Sequence, residues 1–295
     1  MTDNVANNPS QHCWVCGSSD LDLVKKGDLP GELSEQDFRI TDADYGRTGN
    51  IYRCRACGFH QCSEMLDVLQ FYSDMDDPDY EATREQRALQ EASLLKEIRK
   101  WRPTGRLLDV GAGAGILVEE ALKLGYAAEG VEPARSLQSA AAALDLPVHL
   151  GVLPHKDAQG PYDVLTMIDV IEHVPNPVEV LKTVREALAD DGIAAIVTPD
   201  RKALAARIMG WKWWHYRMAH IGYFDRQTLT LALKEAGLEP IAFQRPGWYF
   251  PASYLFERVM QYIPFARGLK APRFMDGIVI PLNLRDSLMV LCRRA

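Results

Sequence analysis

A glycine-rich stretch near the middle of the chain carries the residues best placed to bind a nucleotide. An apolar run over 107–110 predicts a short buried strand, and an apolar-periodic segment over 116–124 predicts a helix. Between them lie three alternating glycines, Gly111, Gly113 and Gly115. Glycine lets the backbone approach a ligand more closely than any Cβ would allow. The stretch therefore predicts the nucleotide-binding corner of a doubly wound α/β sheet.

Two carboxylates accompany the glycines. Asp109 ends the first strand, and Glu132 follows a second predicted strand over 127–131. Glu132 lies about twenty residues past the first glycine, where a carboxylate is expected to hold ribose hydroxyls. A dinucleotide fingerprint would need a small residue where the chain has Ile116, and no Walker lysine follows. The spacing therefore disfavours both a dinucleotide site and a phosphate-cradling loop.

Four of the six cysteines form two Cys-x-x-Cys pairs, and each pair is followed directly by glycine. This is the spacing of a four-thiolate zinc ribbon, and disulfides are the poorer interpretation in a cytoplasmic protein. The predicted structural zinc ligands are Cys13, Cys16, Cys54 and Cys57. Three neighbours could replace one ligand, but we expect His12 and His60 at the surface and Cys62 buried as a small apolar residue.

Length and charge further narrow the classes of function that the chain could have. The chain has 295 residues, a formal charge of −7 and a sequence pI near 5.6. An acidic chain is a poor general binder of nucleic acid. Residues 1–11 are polar and lack a signal-peptide pattern, and no apolar run reaches the roughly 18 residues that span a bilayer. We therefore expect a cytoplasmic protein.

Three units divide the chain. A small zinc-ribbon module over 1–62 is followed by a linker or lid and a helix over 63–104. The main domain covers 105–295 and contains an insertion over 246–283. Aromatic residues among carboxylates over 63–80 leave two alternatives open, a mobile lid over the nucleotide site and a solvated linker.

The helix predicted over 81–101 should pack on the sheet edge beside the glycine turn. The main domain alternates strands and helices, which predicts a doubly wound, mostly parallel sheet. The predicted strands are 106–110, 127–131, 147–150, 162–168, 192–198, 239–245 and 287–293. The predicted helices are 115–124, 136–144, 178–188 and 225–236.

Two segments are additions to the minimal set of strands, helices and short connections of such a domain. The connection over 211–224 leaves the carboxyl end of the fifth strand and carries three tryptophans within four residues. It could form a substrate wall or a plain hydrophobic cap. Residues 245–295 hold eight basic and three acidic residues, and the insertion over 246–283 is also aromatic. That insertion could contact an anionic substrate or a membrane surface, form a homodimer interface, or act as a lid.

Several motifs together carry a resemblance to a known family. The pattern Asp109-x-Gly-x-Gly-x-Gly resembles motif I of class I S-adenosylmethionine-dependent methyltransferases. Cys-x-x-Cys-Gly pairs precede it, and the segments 129–133, 169–177 and 220–229 follow it in order. The whole looks like bacterial methyltransferases with an N-terminal zinc ribbon that modify sugars or natural products. The resemblance implies a seven-stranded Rossmann-like sheet whose last strand is inserted antiparallel.

The resemblance also implies roles in binding S-adenosylmethionine. The glycines would approach the methionine part, Asp109 its amino group and Glu132 the ribose. Leu153 falls at the usual adenine contact, and Asp169 faces the reacting centre. The implied cofactor-binding residues are Asp109, Gly111, Gly113, Gly115, Glu132, Leu153 and Asp169.

Methyl transfer to a hydroxyl also requires removal of a proton. Histidine is the side chain best suited to this near neutral pH, and two lie at loop ends that converge on the cofactor. His220 is the first candidate base and His173 the second. The candidate substrate contacts are Tyr72, Glu172, Trp214, His215 and Tyr223.

The leading hypothesis is O-methylation of a sugar, saccharide or other small hydroxylated metabolite. The first alternative is methylation of rRNA or tRNA with the zinc ribbon on the RNA, although the acidic charge makes a nucleic-acid partner the weaker expectation. The second alternative is a non-catalytic protein that binds the cofactor or a partner.

Overall fold

The computed structural model describes residues 12–29, 34, 38–39, 45–65, 68–77 and 80–295. The polar N-terminus through residue 11 and residues 78–79 of the predicted lid or linker lie outside the described residues. The strands are β1 (Leu21–Lys25), β2 (Ile51–Cys54), β3 (His60–Gln61), β4 (Arg106–Val110), β5 (Ala127–Glu132), β6 (Val148–Leu150), β7 (Tyr162–Ile168), β8 (Leu188–Pro199), β9 (Gly222–Tyr223), β10 (Leu238–Gln244), β11 (Trp248–Pro251), β12 (Val279–Leu282) and β13 (Ser287–Arg294). The helices are α1 (Val68–Asp74), α2 (Arg84–Ile98), α3 (Ile116–Lys123), α4 (Arg135–Ala142), α5 (Pro177–Ala187), α6 (Leu204–Met209), α7 (Arg226–Glu235) and α8 (Ala252–Gln261).

Seven strands form the central sheet in the order β10-β13-β8-β7-β4-β5-β6. The five strands from β8 to β6 are parallel, and β13 is antiparallel to both β8 and β10. The predicted fold class is therefore confirmed. The fifth predicted strand begins earlier than expected, at Leu188, because that residue pairs with Tyr162 of β7 before a bulge.

Apolar side chains cover both faces of the sheet. Helix α2 packs beside α3 and buries Leu94, Leu95 and Ile98 in the same apolar cluster as Leu107 of β4. Burial of one such side chain stabilises the fold by about 1.5–3 kcal/mol. The prediction that this helix lies on the sheet edge is therefore wrong, because its apolar residues need a sheet face to cover.

A second, small sheet joins the N-terminal module to the main domain. Its order is β1-β2-β3-β9, and β9 comes from the connection that follows β8. His60 pairs with Tyr223 and Gln61 with Gly222, and the backbone N–H of Cys62 donates to the carbonyl of Ile221 at 2.8 Å. His60 is buried here, so its predicted place at the surface is wrong, whereas Cys62 is buried as expected.

The insertion over 246–283 forms a hairpin of β11 and β12 around α8. Of the ten residues of α8 only Ala252 is buried, although the helix is rich in large apolar side chains. Across the part of the chain that the model describes, none of the helices combines the length and apolar character needed to cross a bilayer. The predicted domain boundaries stay predictions.

Candidate functional site

The glycine turn follows β4 and contacts its neighbours too closely for side chains. Gly111, Gly113 and Gly115 all have positive φ values, of 77°, 55° and 74°. A Cβ at Gly111 would lie 2.5 Å from Val170 Cγ2, and one at Gly113 would lie 2.6 Å from the Tyr80 hydroxyl. Only glycine therefore fits these positions. The Tyr80 hydroxyl covers Gly113 in this structure.

Tyr80 belongs to the segment predicted as a lid or a linker. In the same segment Met75 and Asp77 are buried, and the Arg87 guanidinium lies 4.0 Å above the Tyr80 ring. In the described part of this segment Tyr80 therefore lies on the glycine turn, while Met75 and Tyr72 pack against Ala134 and Leu137, contacts that a solvated linker would not make.

Glu132 fixes the shape of the turn. Its side chain is fully buried, and its two carboxylate oxygens accept hydrogen bonds from the backbone N–H groups of Gly113 and Ala134, both at 2.7 Å. Buried backbone donors need such partners, because leaving one unsatisfied costs about 1–3 kcal/mol. Sequence reasoning assigned Glu132 to a ribose and missed this structural role.

Several carboxylates enclose the same space. Thr166 donates to Asp109 at 2.7 Å, whereas Glu91 Oε2 is enclosed without a hydrogen-bond partner among the described residues. Asp169 follows β7 with a φ of 51° and is exposed, although neighbouring protein atoms partly desolvate its carboxylate. Desolvation raises the pKa of Asp109, of Glu132 and of Asp169 to about 7. Desolvated acids of this kind favour a cationic ligand.

The residues present fit S-adenosylmethionine, whose sulfonium and ammonium groups are both positive. Asp109 and Asp169 would face the positive groups, and the enclosed oxygen of Glu91 would gain a partner. Sequence reasoning missed Glu91, since a glutamate within a charged helix has no local pattern that marks it. Cofactor binding would require the Tyr80 side chain to move away from Gly113 and the buried Glu132 carboxylate to become accessible to the ribose.

Cofactor affinity should rise with pH through the neutral range. Folding raises the pKa of Asp109, Glu132 and Asp169 to about 7, so their charge, which stabilises a cation, appears only above that value. Conversely, their contribution to the stability of the unliganded protein is present at low pH and declines as pH rises through 7. Calorimetry should show about tenfold tighter binding of S-adenosylmethionine at pH 8 than at pH 6.

S-Adenosylhomocysteine is the matched ligand for this measurement, because it lacks the sulfonium charge. The affinity for S-adenosylhomocysteine should change less with pH. Asp169→Asn should reduce the pH dependence of the affinity for S-adenosylmethionine. Equal affinities for S-adenosylmethionine at both pH values would contradict the assignment of these carboxylates.

Two histidines meet at the loop that follows β7. The rings of His173 and His220 lie 4.7 Å apart, edge to face, and the ring of His215 stacks 5.6 Å from His220. His173 Nδ1 donates to the carbonyl of Ala219 at 2.8 Å, which leaves Nε2 as the proton acceptor. Burial lowers the pKa of His173 to about 4. The structure thus brings together the two residues that the sequence proposed as bases.

Glu172 completes this group. It is buried, and Thr198 donates to its Oε2 at 2.9 Å, while its Oε1 has no hydrogen-bond partner in the described chain. Ligand atoms of Glu172, His173 and His220 all lie within 4.8 Å of one another, so the group could hold one divalent cation.

The four predicted zinc ligands converge in the N-terminal module. The Sγ atoms of Cys13 and Cys57 lie 3.6 Å apart, and those of Cys16 and Cys54 lie 3.5 Å apart. Zn–S bonds of about 2.3 Å in a tetrahedron place the sulfurs slightly less than 4 Å apart. The four thiols therefore fit one tetrahedral metal ion.

The remaining predicted residues divide between the site and the core. The ring of Tyr72 lies 6.3 Å from that of His173, so Tyr72 stays a candidate substrate contact. Trp214 donates to Asp286 at 3.1 Å and is half-buried. Leu153 is partly buried against the core.

Two expectations for the tryptophan connection need correction. Tyr223 is buried in β9 with its hydroxyl 3.9 Å from Cys62 Sγ, so it does not reach the site as a substrate contact. Trp213 is fully buried in the main apolar cluster. Of the three tryptophans of the connection, Trp213 therefore belongs to the hydrophobic core, whereas Trp211 and Trp214 remain accessible.

The central sheet and its glycine turn define a Rossmann-like methyltransferase. The family model described as "Methyltransferase domain" matches residues 80–242, which is more than half of the chain. The chain belongs to this family of S-adenosylmethionine-dependent methyltransferases.

Curated relatives include ubiquinone biosynthesis O-methyltransferases. The protein of Caulobacter sp. strain K31 is 35% identical over 115 residues, which are 36% of this chain and 46% of that protein. The protein of Ruegeria pomeroyi is 30% identical over 159 residues, 49% of this chain and 63% of that protein. The alignments thus span about half of the length of these relatives.

Solved structures share the fold at low sequence identity. A methyltransferase of Archaeoglobus fulgidus superposes with a TM-score of 0.50 at 16% identity, covering 74% of this chain and 100% of that chain. A chain in the complex of the Haloferax volcanii Trm112 methyltransferase activator with a methyltransferase superposes with a TM-score of 0.52 at 12% identity, covering 73% of this chain and 94% of that chain.

Proposed function

We propose that this protein transfers the methyl group of S-adenosylmethionine to a hydroxyl oxygen of a small organic molecule. The observation that carries the proposal is the meeting of His173, His220 and Glu172 at the loop that follows β7, at the carboxyl ends of the parallel strands. Ligands of such sheets bind at these ends. The names of the ubiquinone biosynthesis relatives support an O-directed reaction, and they do not point to the sugar acceptors expected from the sequence.

The chain's own residues would act in sequence along this edge. S-Adenosylmethionine, when bound, supplies an already activated methyl group. Glu132 would hold the ribose and the glycine turn would lie against the methionine part. Asp109 and Asp169 would stabilise positive charge, and the aromatic residues Tyr72 and Tyr80 would exclude water. His173 Nε2 accepts the acceptor's hydroxyl proton, and proximity to the fixed donor supplies much of the rate.

His173 replaces His220 as the preferred base. His173 is half-buried and its free nitrogen can meet a substrate, while His220 is buried and packs against the His173 ring edge. We propose that His220 positions His173.

Substitution of His173 should separate chemistry from cofactor binding. His173→Ala should lower kcat by about 100-fold or more, because a positioned base contributes about 10²–10⁴ to the rate. Calorimetric affinity for S-adenosylmethionine should stay within about threefold of the parent, since ring loss leaves the glycine turn intact. His149→Ala, on the distant strand β6, is the matched control. Unchanged turnover in His173→Ala would contradict the proposed base.

The acceptor is tested with purified protein, labelled S-adenosylmethionine and a panel of phenols, catechols, free sugars and nucleotide-linked sugars. Transfer to a hydroxyl of any class supports O-methylation, and transfer only to nitrogen or carbon refutes it.

Divalent cations added to the active protein test whether the Glu172, His173 and His220 group holds a metal during the reaction. Salt-sensitive binding to rRNA or tRNA would instead favour the nucleic-acid alternative.

We also propose that the four-cysteine site holds structural zinc and that this zinc ribbon positions the histidine loop. The ribbon's strand β3 pairs with β9, which begins two residues after His220. The Phe59 ring lies 4.8 Å from that of Phe224, and Arg201 donates to the carbonyl of Gly58 at 3.0 Å. These contacts join the N-terminal module that contains the four cysteines to the connection that carries His220.

A further inference from the structure

The insertion leaves a large apolar surface without cover. In the segment 252–284, Phe265 is 94% exposed and Phe274 is 74% exposed. Further large apolar side chains of the segment are exposed beside them: Val259, Tyr262, Leu269, Ile278, Val279 and Leu284. Exposed apolar side chains scattered singly are ordinary, but eight within one segment of 33 residues indicate an interaction surface. We call the exposed residues of 252–284 the insertion surface.

Basic residues are interspersed with these apolar side chains. The segment contains four basic and two acidic residues, a net charge of +2 within a chain of −7. One of the four, Lys270, pairs with Glu257 at 3.0 Å. Arg267 and Arg273 each lie within two residues of one of the two most exposed aromatic rings. Apolar rings beside arginines are suited to a partner whose outer layer is negatively charged and whose interior is apolar.

The insertion surface adjoins the connection that carries His220. The Tyr262 hydroxyl donates to the carbonyl of Lys212 at 3.4 Å, and the rings of Tyr45 and Tyr262 stack 6.4 Å apart. Beside Lys212, helix α6 exposes Ile208 and Leu204. The apolar surface therefore continues from α8 to the tryptophan connection.

We propose that the insertion surface docks onto an anionic lipid bilayer, with Phe265 and Phe274 inserted among the acyl chains and Arg267 and Arg273 at the headgroups. A symmetric dimer through the same surface would place its positive charges against each other, because a two-fold interface contacts itself. An anionic bilayer complements both the charge and the apolar rings. Docking would hold the site entrance at the lipid boundary, a consequence that rests on the proposed function.

Vesicle sedimentation of the full chain tests the docking. The protein should bind vesicles of phosphatidylcholine mixed with phosphatidylglycerol, bind vesicles of phosphatidylcholine alone more weakly, and be released by raised salt. Phe265→Ala with Phe274→Ala should weaken binding to the anionic vesicles about tenfold or more, since two inserted rings are lost. Arg267→Gln with Arg273→Gln should weaken it by a similar factor and remove the salt dependence.

Matched substitutions use exposed residues elsewhere. Leu122→Ala with Leu144→Ala, and Lys156→Gln with Lys182→Gln, should leave vesicle binding unchanged. Thermal melting and calorimetric binding of S-adenosylmethionine show that each variant is folded, independently of the acceptor. The proposal is overturned if the parent protein does not bind anionic vesicles. It is also overturned if the phenylalanine pair leaves vesicle binding intact but converts a dimer to a monomer in analytical ultracentrifugation.

Discussion

Glu132→Ala is expected to abolish measurable cofactor binding and to destabilise the protein. The substitution removes the carboxylate that would hold the ribose and leaves the buried N–H groups of Gly113 and Ala134 without acceptors. Each unsatisfied donor costs about 1–3 kcal/mol, so the free energy of unfolding should fall by about 2–6 kcal/mol in total. Calorimetry should show affinity for S-adenosylmethionine at least about 100-fold weaker, and chemical unfolding measures the stability loss.

Glu132→Gln separates the two effects. The amide oxygen can accept from one N–H group, but the amide NH₂ then faces the second donor, so stability should recover only in part. Glu129→Gln is the control, because Glu129 lies on the same strand and contacts Arg106 and Tyr162 instead of the turn. If Glu132→Ala bound S-adenosylmethionine as tightly as the parent, the glycine turn would not be the cofactor site.

Loss of the proposed zinc site is expected to lower kcat for methyl transfer strongly while leaving the cofactor site intact. Cys54→Ser with Cys57→Ser removes two of the four thiolates, and structural zinc sites contribute directly to folding. Without the metal, β3 should no longer hold β9, so His220 and the His173 ring it contacts lose their fixed positions. We expect about a 100-fold loss in kcat, because misplacement of about 1 Å can cost that much.

Three readouts test this expectation together. Elemental analysis should find one zinc per parent chain and none in the variant. Hydrogen exchange should accelerate at the amides of 221–223, and calorimetric affinity for S-adenosylmethionine should change by less than about threefold, since the glycine turn and β9 belong to different sheets. Cys292→Ala, a buried cysteine outside the cluster, controls for thiol loss. Unchanged exchange in the metal-free variant would show that zinc does not position the loop.

Local patterns predicted most of the main sheet. The strands at 106–110 and 162–168 match the observed bounds, because short apolar runs ended by turn residues have few other uses. The extension of β8 to Leu188 was missed, since its partner Tyr162 is distant in sequence and no local signal marks the pairing. The place of the helix after 81 was also missed, because periodicity shows an apolar face but not what it covers.

The same division holds for the site. Residue type and spacing predicted the glycine turn, the four cysteines and both histidines, since each of these chemistries needs particular atoms at short intervals. Whether Tyr223 faced the substrate or the core depended on the pairing of β9 with β3, which only the folded chain decides. Glu91 entered the site for the same reason, through the packing of α2 above β4.

The sequence by itself predicted the cofactor class and the four cysteines that converge in the fold, because both depend on contiguous segments whose backbone and donor atoms act locally. Only the tertiary structure decided that the ribbon supports the histidine loop, that Tyr80 covers the glycine turn and that the insertion surface stays uncovered. These are contacts between segments far apart in the chain. Their free energy depends on which surfaces the fold brings together, and local residue patterns do not encode that.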